Sequence, residues 1–131
     1  MKLSKIALLT FAPFLLGSCN HYVSHYKAQI LITSNANGVG KIYFDKFEGT
    51  YVFKLRKISD GEGAISYQAS LKEGHIDVKY NFLNFESPLF SINSNESLND
   101  KGGYIEKGHQ VIIVLTSEGA AYKGDFTFDL N

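Results

Sequence analysis

The stretch VIIVLTSEGAAYKGDFTFDL, residues 111–130, carries the strongest fold signal in this chain. Its first part, Val111 to Leu115, is apolar at every position and mostly β-branched, which is typical of a central strand covered on both faces. After Gly119, apolar and polar residues alternate with the period of a half-buried strand. This alternation predicts four inward side chains, namely Tyr122, Phe126, Phe128 and Leu130.

Two Glu-Gly pairs lie between such strands and predict two-residue hairpin turns. Glu118-Gly119 joins the two parts of the stretch quoted above, and Glu73-Gly74 separates the alternating segments 65–71 and 76–82. In the second case, pairing across the turn sets every inward apolar residue opposite another apolar one. A slip of one residue would reverse the faces along the whole hairpin. We therefore expect two β-hairpins.

The remaining chain continues the strand pattern and shows no convincing helix. Half-buried strands are predicted around Ala28 to Ile32 and Tyr51 to Leu55, and further strands near 41–47 and 86–92. Turn signals lie at 35–38, 60–63 and 93–103. Seven or eight short strands at this spacing predict an all-β fold for residues 27–131, an antiparallel β-sandwich of immunoglobulin-like or jelly-roll type.

Composition is that of one folded domain. The chain has 131 residues, 44% of them apolar, with 13 Lys+Arg against 13 Asp+Glu. Two full domains would each be near the size at which burial barely offsets chain entropy. The balanced charge argues against nucleic acid as a partner, because phosphate binding requires a local surplus of Lys and Arg.

The N-terminal residues 1–18 predict an export signal. Lys2 and Lys5 precede an apolar run from Ile6 to Leu16, which Pro13 interrupts. A membrane-spanning helix needs about 20 apolar residues, so this run is too short, whereas it suits a secretory signal peptide.

The segment Leu16-Gly17-Ser18-Cys19 directly after this run resembles the lipobox of bacterial lipoproteins. The resemblance implies that the Cys19 sulfur carries a diacylglyceryl group and that cleavage makes Cys19 the mature N-terminus. Residues 19–26 then form a short tether. Lipidation also accounts for a single cysteine in an exported chain, although a chance thiol is the alternative. We expect anchoring by this lipid at the extracytoplasmic face of the cell membrane, or at the outer membrane in a Gram-negative host.

The C-terminal half supplies a second resemblance. The segment from Phe90 to Gly108, together with Lys123 to Phe128, is similar to small uncharacterised lipoproteins of low-GC Gram-positive bacteria. That family implies no activity.

The polar stretch 93–103 is the candidate ligand-contacting loop, with Asn95, Asn99 and Asp100 as its site residues. Its side-chain oxygens suggest calcium. However, a calcium loop starting at Asn93 would have Leu98 at the glycine position and Tyr104 at the position of the bidentate acid. A turn-rich connection between strands is the competing interpretation. A ligand-contacting role is supported by the preference of binding residues for loops on a rigid β scaffold.

Catalytic and metal-binding motifs are absent from the sequence. His21 and His25 are four residues apart but lack a third ligand, and His75 and His109 are expected at the surface at strand starts. We expect that the protein binds no cofactor and is not an enzyme. The function expected is that of a lipid-anchored binding or envelope-associated module with an unidentified protein or glycan partner. A small hydrolase with a carboxylate site and a structural partner of another envelope protein are the alternatives.

Overall fold

The computed structural model describes residues 23–131, which form an antiparallel β-sandwich, as the sequence predicts. This part of the chain contains no helix long and apolar enough to cross a membrane. Its seven strands are β1 (His25–Ala36), β2 (Val39–Arg56), β3 (Glu62–Glu73), β4 (His75–Phe82), β5 (Phe85–Asn93), β6 (Glu96–Glu106) and β7 (Gln110–Asp129).

Strand β7 is the centre of the sheet. On one side it pairs with β2 along its length, from Val39 opposite Asp129 to Arg56 opposite Gln110. On the other side, β4 pairs with the first half of β7 and β3 with the second half. β1 extends the sheet beyond β2, β6 beyond β3, and β5 beyond β4. The prediction of a central strand at 111–115 is confirmed.

One sheet forms both layers because its long strands bend. The β2–β7 register shifts between Phe47 and Gly49, opposite Ser117 to Ala121. Gly74, which lies against Ala121, separates the end of β3 from the start of β4, and its φ is +110°. A bulge bends a strand and increases its twist. The first half of β7, with β4 and β5, therefore packs over the second half of β7 with β3 and β6.

Both predicted hairpins are wrong. β7 passes through Glu118-Gly119 without reversing, and β3 and β4 each pair with β7 and not with each other. Gly74 does adopt a positive φ, as a tight turn would require, but it serves a bend between two strands that run in the same direction. The apolar match across the supposed turn was misleading because β7 offers an equally apolar face: Tyr67 lies opposite Phe128, and Val78 opposite Leu115.

The core lies between the layers and follows the predicted alternation on most strands. β3 buries Ile65, Tyr67, Ala69 and Leu71, and β7 buries Phe126, Phe128 and Leu130. Tyr122 is an exception, at 36% exposed. Ala121 and Gly124 take the inward positions there, because Lys123 has φ +55° and interrupts the alternation.

Strand β1 also departs from the regular alternation of a half-buried strand, which was predicted around Ala28 to Ile32. Ile30 and Ile32 are 62% and 61% exposed, whereas Leu31 packs against the core. The positive φ of Ile30, +52°, breaks the alternation at this edge strand. β1 begins at His25, so His25 and Tyr26, which were assigned to the tether, belong to the sheet. The Tyr26 ring contacts those of Phe47 and Tyr51.

The predicted turn at 35–38 is confirmed, with Asn37 and Gly38 at φ +56° and +77° between paired Ala36 and Val39. The predicted turn-rich connection 93–103 is wrong. Only Ser94 and Asn95 form a turn, and β6 continues from Glu96. A polar strand fits there because β6 is an edge strand that leaves most of its side chains in solvent.

Candidate functional site

The three residues of the predicted ligand-contacting loop do not share one loop. Asn95 occupies the β5–β6 turn with φ +63°, and its N–H donates to the Leu71 carbonyl. Asn99 and Asp100 lie on β6 opposite Gln68 and Tyr67. Because neighbouring strand residues point to opposite faces, the Asn99 and Asp100 side chains diverge.

Asn99 lines a shallow polar groove of about 430 Å³ on the outer face of β3, β6 and β7. Its polar neighbours there are Gln68, Ser70, Ser97, Asp125 and Thr127. The groove offers hydrogen-bonding groups but contains no aromatic surface.

A second groove, of about 290 Å³, has aromatic walls and is the strongest candidate site. We call it the aromatic groove. Its lining comes from β4, the β4–β5 turn, β5 and β6: Tyr80, Phe82, Leu83, Phe85, Ser87 and Tyr104. Phe82 is buried at its base, and its ring meets that of Tyr104 edge to face at 6.1 Å. Phe85 is 77% exposed and Tyr104 46% exposed, so an aromatic surface is open to solvent.

The turn at the edge of this groove is locally strained. Leu83 and Asn84 connect paired Phe82 and Phe85 with φ of +53° and +67°. A two-residue turn of this kind favours Asn or Gly, and a leucine there is unfavourable. Leu83 is nevertheless 50% exposed. Strain combined with an exposed apolar side chain is typical of a functional site.

Gly103 allows the two tyrosines of the groove to meet. A Cβ on this residue would lie 2.8 Å from Cζ of Tyr80, and φ is +77°. The Tyr80 ring therefore lies against the β6 backbone, where its hydroxyl accepts the Tyr104 N–H at 3.2 Å. This contact fixes one wall relative to the other.

The hydroxyl of Tyr104 reaches two carboxylates. It lies 2.7 Å from Oε2 of Glu106 and 2.9 Å from Oε2 of Glu62. The hydrogen bond to Glu106 and then that to Glu62 raise the pKa of Tyr104 well above its usual range. The phenol stays neutral, and the two carboxylates lie beside the Tyr104 wall of the groove.

A separate polar network joins β4 and β5. His75 contacts Asn93 Oδ1 through Nδ1 at 2.6 Å and Asp77 Oδ1 through Nε2 at 2.9 Å, and Ser91 donates to Asp77 at 2.5 Å. The hydrogen bonds to Asn93 and then Asp77 raise the pKa of His75. Ser91 faces the carboxylate and not the imidazole, so these residues lack the contact that activates a serine nucleophile.

Metal-ligating side chains do not cluster within residues 23–131: no three of the His, Cys, Asp and Glu side chains there could hold a metal ion. His25 lies on β1, while His75 begins β4 and His109 precedes β7, both about half exposed. Cys19 and His21 lie outside the described residues, so the lipidation site stays a prediction.

Sequence reasoning missed the aromatic groove. Its residues are far apart in the sequence and β6 was not predicted as a strand, so their convergence depends on how β4, β5 and β6 pack. A local signal was present in Leu83-Asn84-Phe85, where an apolar residue occupies a tight turn beside an aromatic one.

Comparison by sequence finds no matching family model and no matching curated protein. Among solved structures, the chain is similar to a cupin-2 domain containing protein from Shewanella frigidimarina, with 11% identity over 80% of this chain and 83% of that chain and a TM-score of 0.34. It is also similar to a carbohydrate-binding module from Cellvibrio mixtus lichenase 5A in complex with cellotriose, with 14% identity over 79% and 88% of the chains and a TM-score of 0.32. A CBM4 structure gives 13% identity over 78% and 76%, and a TM-score of 0.37. These likenesses concern the β-sandwich class alone.

Proposed function

We propose that this chain is a lipid-anchored extracytoplasmic β-sandwich that acts as a non-catalytic binding module, with the aromatic groove as its ligand site. The observation that carries the proposal is the exposed aromatic surface of Phe85 and Tyr104 beside the strained turn at Leu83. Folding gives no reason for an apolar side chain at Leu83 or Phe85, whereas the Tyr104 ring also packs on Phe82. Ligand sites are commonly concave and aromatic with a few polar groups, as this groove is.

A binding experiment tests the groove. The full-length protein would be incubated separately with the small molecules, the polysaccharides and the proteins of a bacterial envelope extract. We expect one class to be retained by the wild type and lost with Phe85→Ser. The matched control is Tyr43→Ser, because Tyr43 is an exposed aromatic residue on β2 outside the groove. Equal retention by all three proteins would contradict this assignment.

Anchoring rests on Leu16-Gly17-Ser18-Cys19 and on the signal-like run before it. Two acyl chains hold a protein on a membrane far more firmly than one, at about 0.8 kcal/mol per buried CH₂. We expect Cys19→Ser to abolish membrane association and fatty-acid labelling in bacterial cells while the domain stays folded. Label retained by the Ser variant would exclude this lipid site.

An enzymatic function is the rival to a binding function, and measured turnover of a substrate would be needed to support it. Glu62 and Glu106 do converge on Tyr104, so a carboxylate-dependent hydrolase is the rival. Turnover of glycoside or ester substrates by the wild type, lost with Glu106→Gln, would favour that rival over a binding module.

The edge strand β1 favours a second candidate function, that of a structural partner of another envelope protein. Its exposed Ile30 and Ile32 lie on a strand whose outer edge is unpaired within residues 23–131. Such an edge can pair with a strand of another chain. Ile32→Lys should abolish cross-linking to that protein in the envelope, whereas Ile58→Lys, at another exposed isoleucine, should preserve it.

A further inference from the structure

The two carboxylates beside the Tyr104 wall of the aromatic groove form an unfavourable charge arrangement. Glu62 and Glu106 are direct cross-strand partners on β3 and β6. Like charges in this register destabilise a sheet. Tyr104 has a single hydroxyl proton, so it can donate fully to only one of the two carboxylates at a time.

Two cationic side chains at this end of the sheet bond to other groups, and His109 lies near the limit of ion-pair distance from Glu106. The Lys107 ammonium lies 2.6 Å from a carboxylate oxygen of Asp60. Arg56 donates to the carbonyl of Gly108. The imidazole of His109 is 3.8 Å from Oε1 of Glu106 and also packs edge to face on Phe82. Negative charge therefore adjoins an exposed aromatic surface.

We propose that the aromatic groove binds a small organic ammonium ion, with the aromatic rings against its alkyl groups and Glu62 and Glu106 facing its charge. The inference rests on the proposed function of the groove as a ligand site. An ammonium ion over aromatic faces is attracted by the ring quadrupoles. The same ion would reduce the repulsion between the carboxylates, which a neutral ligand cannot do.

Groove size supports a small ligand over a macromolecule. The volume of about 290 Å³ is at the lower limit of small-molecule sites, which run from about 300 to 1,000 Å³. Glu106 is 43% exposed in its side chain, so a ligand can reach the carboxylate without rearrangement of the sheet. Phe82 is held by its burial, and the Tyr80 ring is held against β6 by the hydrogen bond from the Tyr104 N–H.

The experiment compares the binding of choline and of its neutral isostere dimethylbutanol to the full-length protein. Binding is measured from the NMR signals of isotope-labelled Tyr and Phe rings. We expect choline to shift the Tyr104 and Phe85 signals with a Kd about five- to tenfold lower than that of the isostere. Raising NaCl from about 0.05 to about 0.5 M should weaken choline binding selectively, because exposed charges are screened.

The double variant Glu62→Gln and Glu106→Gln should bring the choline Kd to that of the isostere, and its urea midpoint reports whether it folds. Glu73→Gln, the same exchange at the opposite end of β3, should keep the preference. If the double variant does not fold, the ratio of the two wild-type Kd values decides. Equal Kd values, no binding of choline, tighter binding of methyl glucoside, or binding only to phosphatidylcholine vesicles would each overturn the ammonium inference. If Phe85→Ser still abolishes retention of an envelope component, the proposed function survives that failure. If Phe85→Ser retains every envelope component that the wild type retains, the ammonium inference and the proposed function both fail.

Discussion

Among single residues, the most informative is a leucine in a backbone conformation that leucine side chains disfavour. Leu83 has φ +53° and a half-exposed side chain at the edge of the aromatic groove. A left-handed backbone costs a leucine more than an asparagine, because only short polar side chains compensate locally. We therefore expect Leu83 to serve the apolar surface of the aromatic groove and not the stability of the fold.

Leu83→Asn should therefore increase the free energy of unfolding by about 1 kcal/mol and weaken ligand binding in the groove. Urea unfolding measures the first effect and ligand titration the second. Ile58→Asn is the control, since Ile58 is exposed but its φ is not positive. A less stable Leu83→Asn protein would show that apolar contacts of the leucine outweigh the strain.

His75 predicts a pH dependence of stability. Its pKa is raised in the folded state, by the hydrogen bond to Asn93 first and that to Asp77 second. The stabilisation that protonated His75 adds to the folded state is therefore complete below the unfolded pKa of about 6.5. It is lost as pH rises through the folded pKa. The side chain is 49% exposed, so we expect less than about 1 kcal/mol. Urea midpoints across this window should decline in the wild type and not in His75→Gln. Parallel profiles would contradict the assignment.

Among the strands, the bend between β3 and β4 decides how the sheet becomes two layers. Gly74 has φ +110°, and a Cβ there would lie 2.8 Å from Cα of Ala121 on β7. Its N–H is held by the Ser94 hydroxyl at 2.8 Å. The bend thus needs a glycine both for its conformation and for the close approach of β7.

Gly74→Val should lower the free energy of unfolding by about 1–3 kcal/mol. Gly61→Val is the matched control: φ there is +81°, but a Cβ would have no atom within 4 Å. The Gly61 variant should lose less, because it suffers backbone strain without a clash. Equal losses in urea unfolding would mean that the close approach to Ala121 contributes nothing.

For the molecule as a whole, both layers depend on the rings of β7. Phe126 is fully buried and stacks near Phe44, Phe90 and Phe128, at centroid distances of 6.1, 6.3 and 6.5 Å. Phe90 lies on β5 and Phe44 on β2, so one side chain connects the two layers. A single core of this kind should unfold in one cooperative transition.

Phe126→Ala should cost about 3–5 kcal/mol, through lost burial and the cavity left behind. Phe85→Ala, the same exchange at a 77% exposed ring, should change stability little and act on ligand binding alone. Thermal and urea unfolding of both variants separate the residues of the fold from those of the site. A comparable loss in both would place Phe85 in the core.

Local sequence was sufficient to predict the all-β class, the inward faces of β3, most of β4 and the end of β7, and the turn at Asn37-Gly38. Alternation with a period of two records which face of a strand is buried, and Asn-Gly specifies a turn through its own backbone preferences. Neither signal identifies the partner strand. Residues 65–71 match residues 76–82 and β7 equally well, so the pairing of both β3 and β4 with β7 emerges only in the folded chain. The aromatic groove arises in the same way, because Tyr80, Phe85 and Tyr104 come together only once three strands are packed.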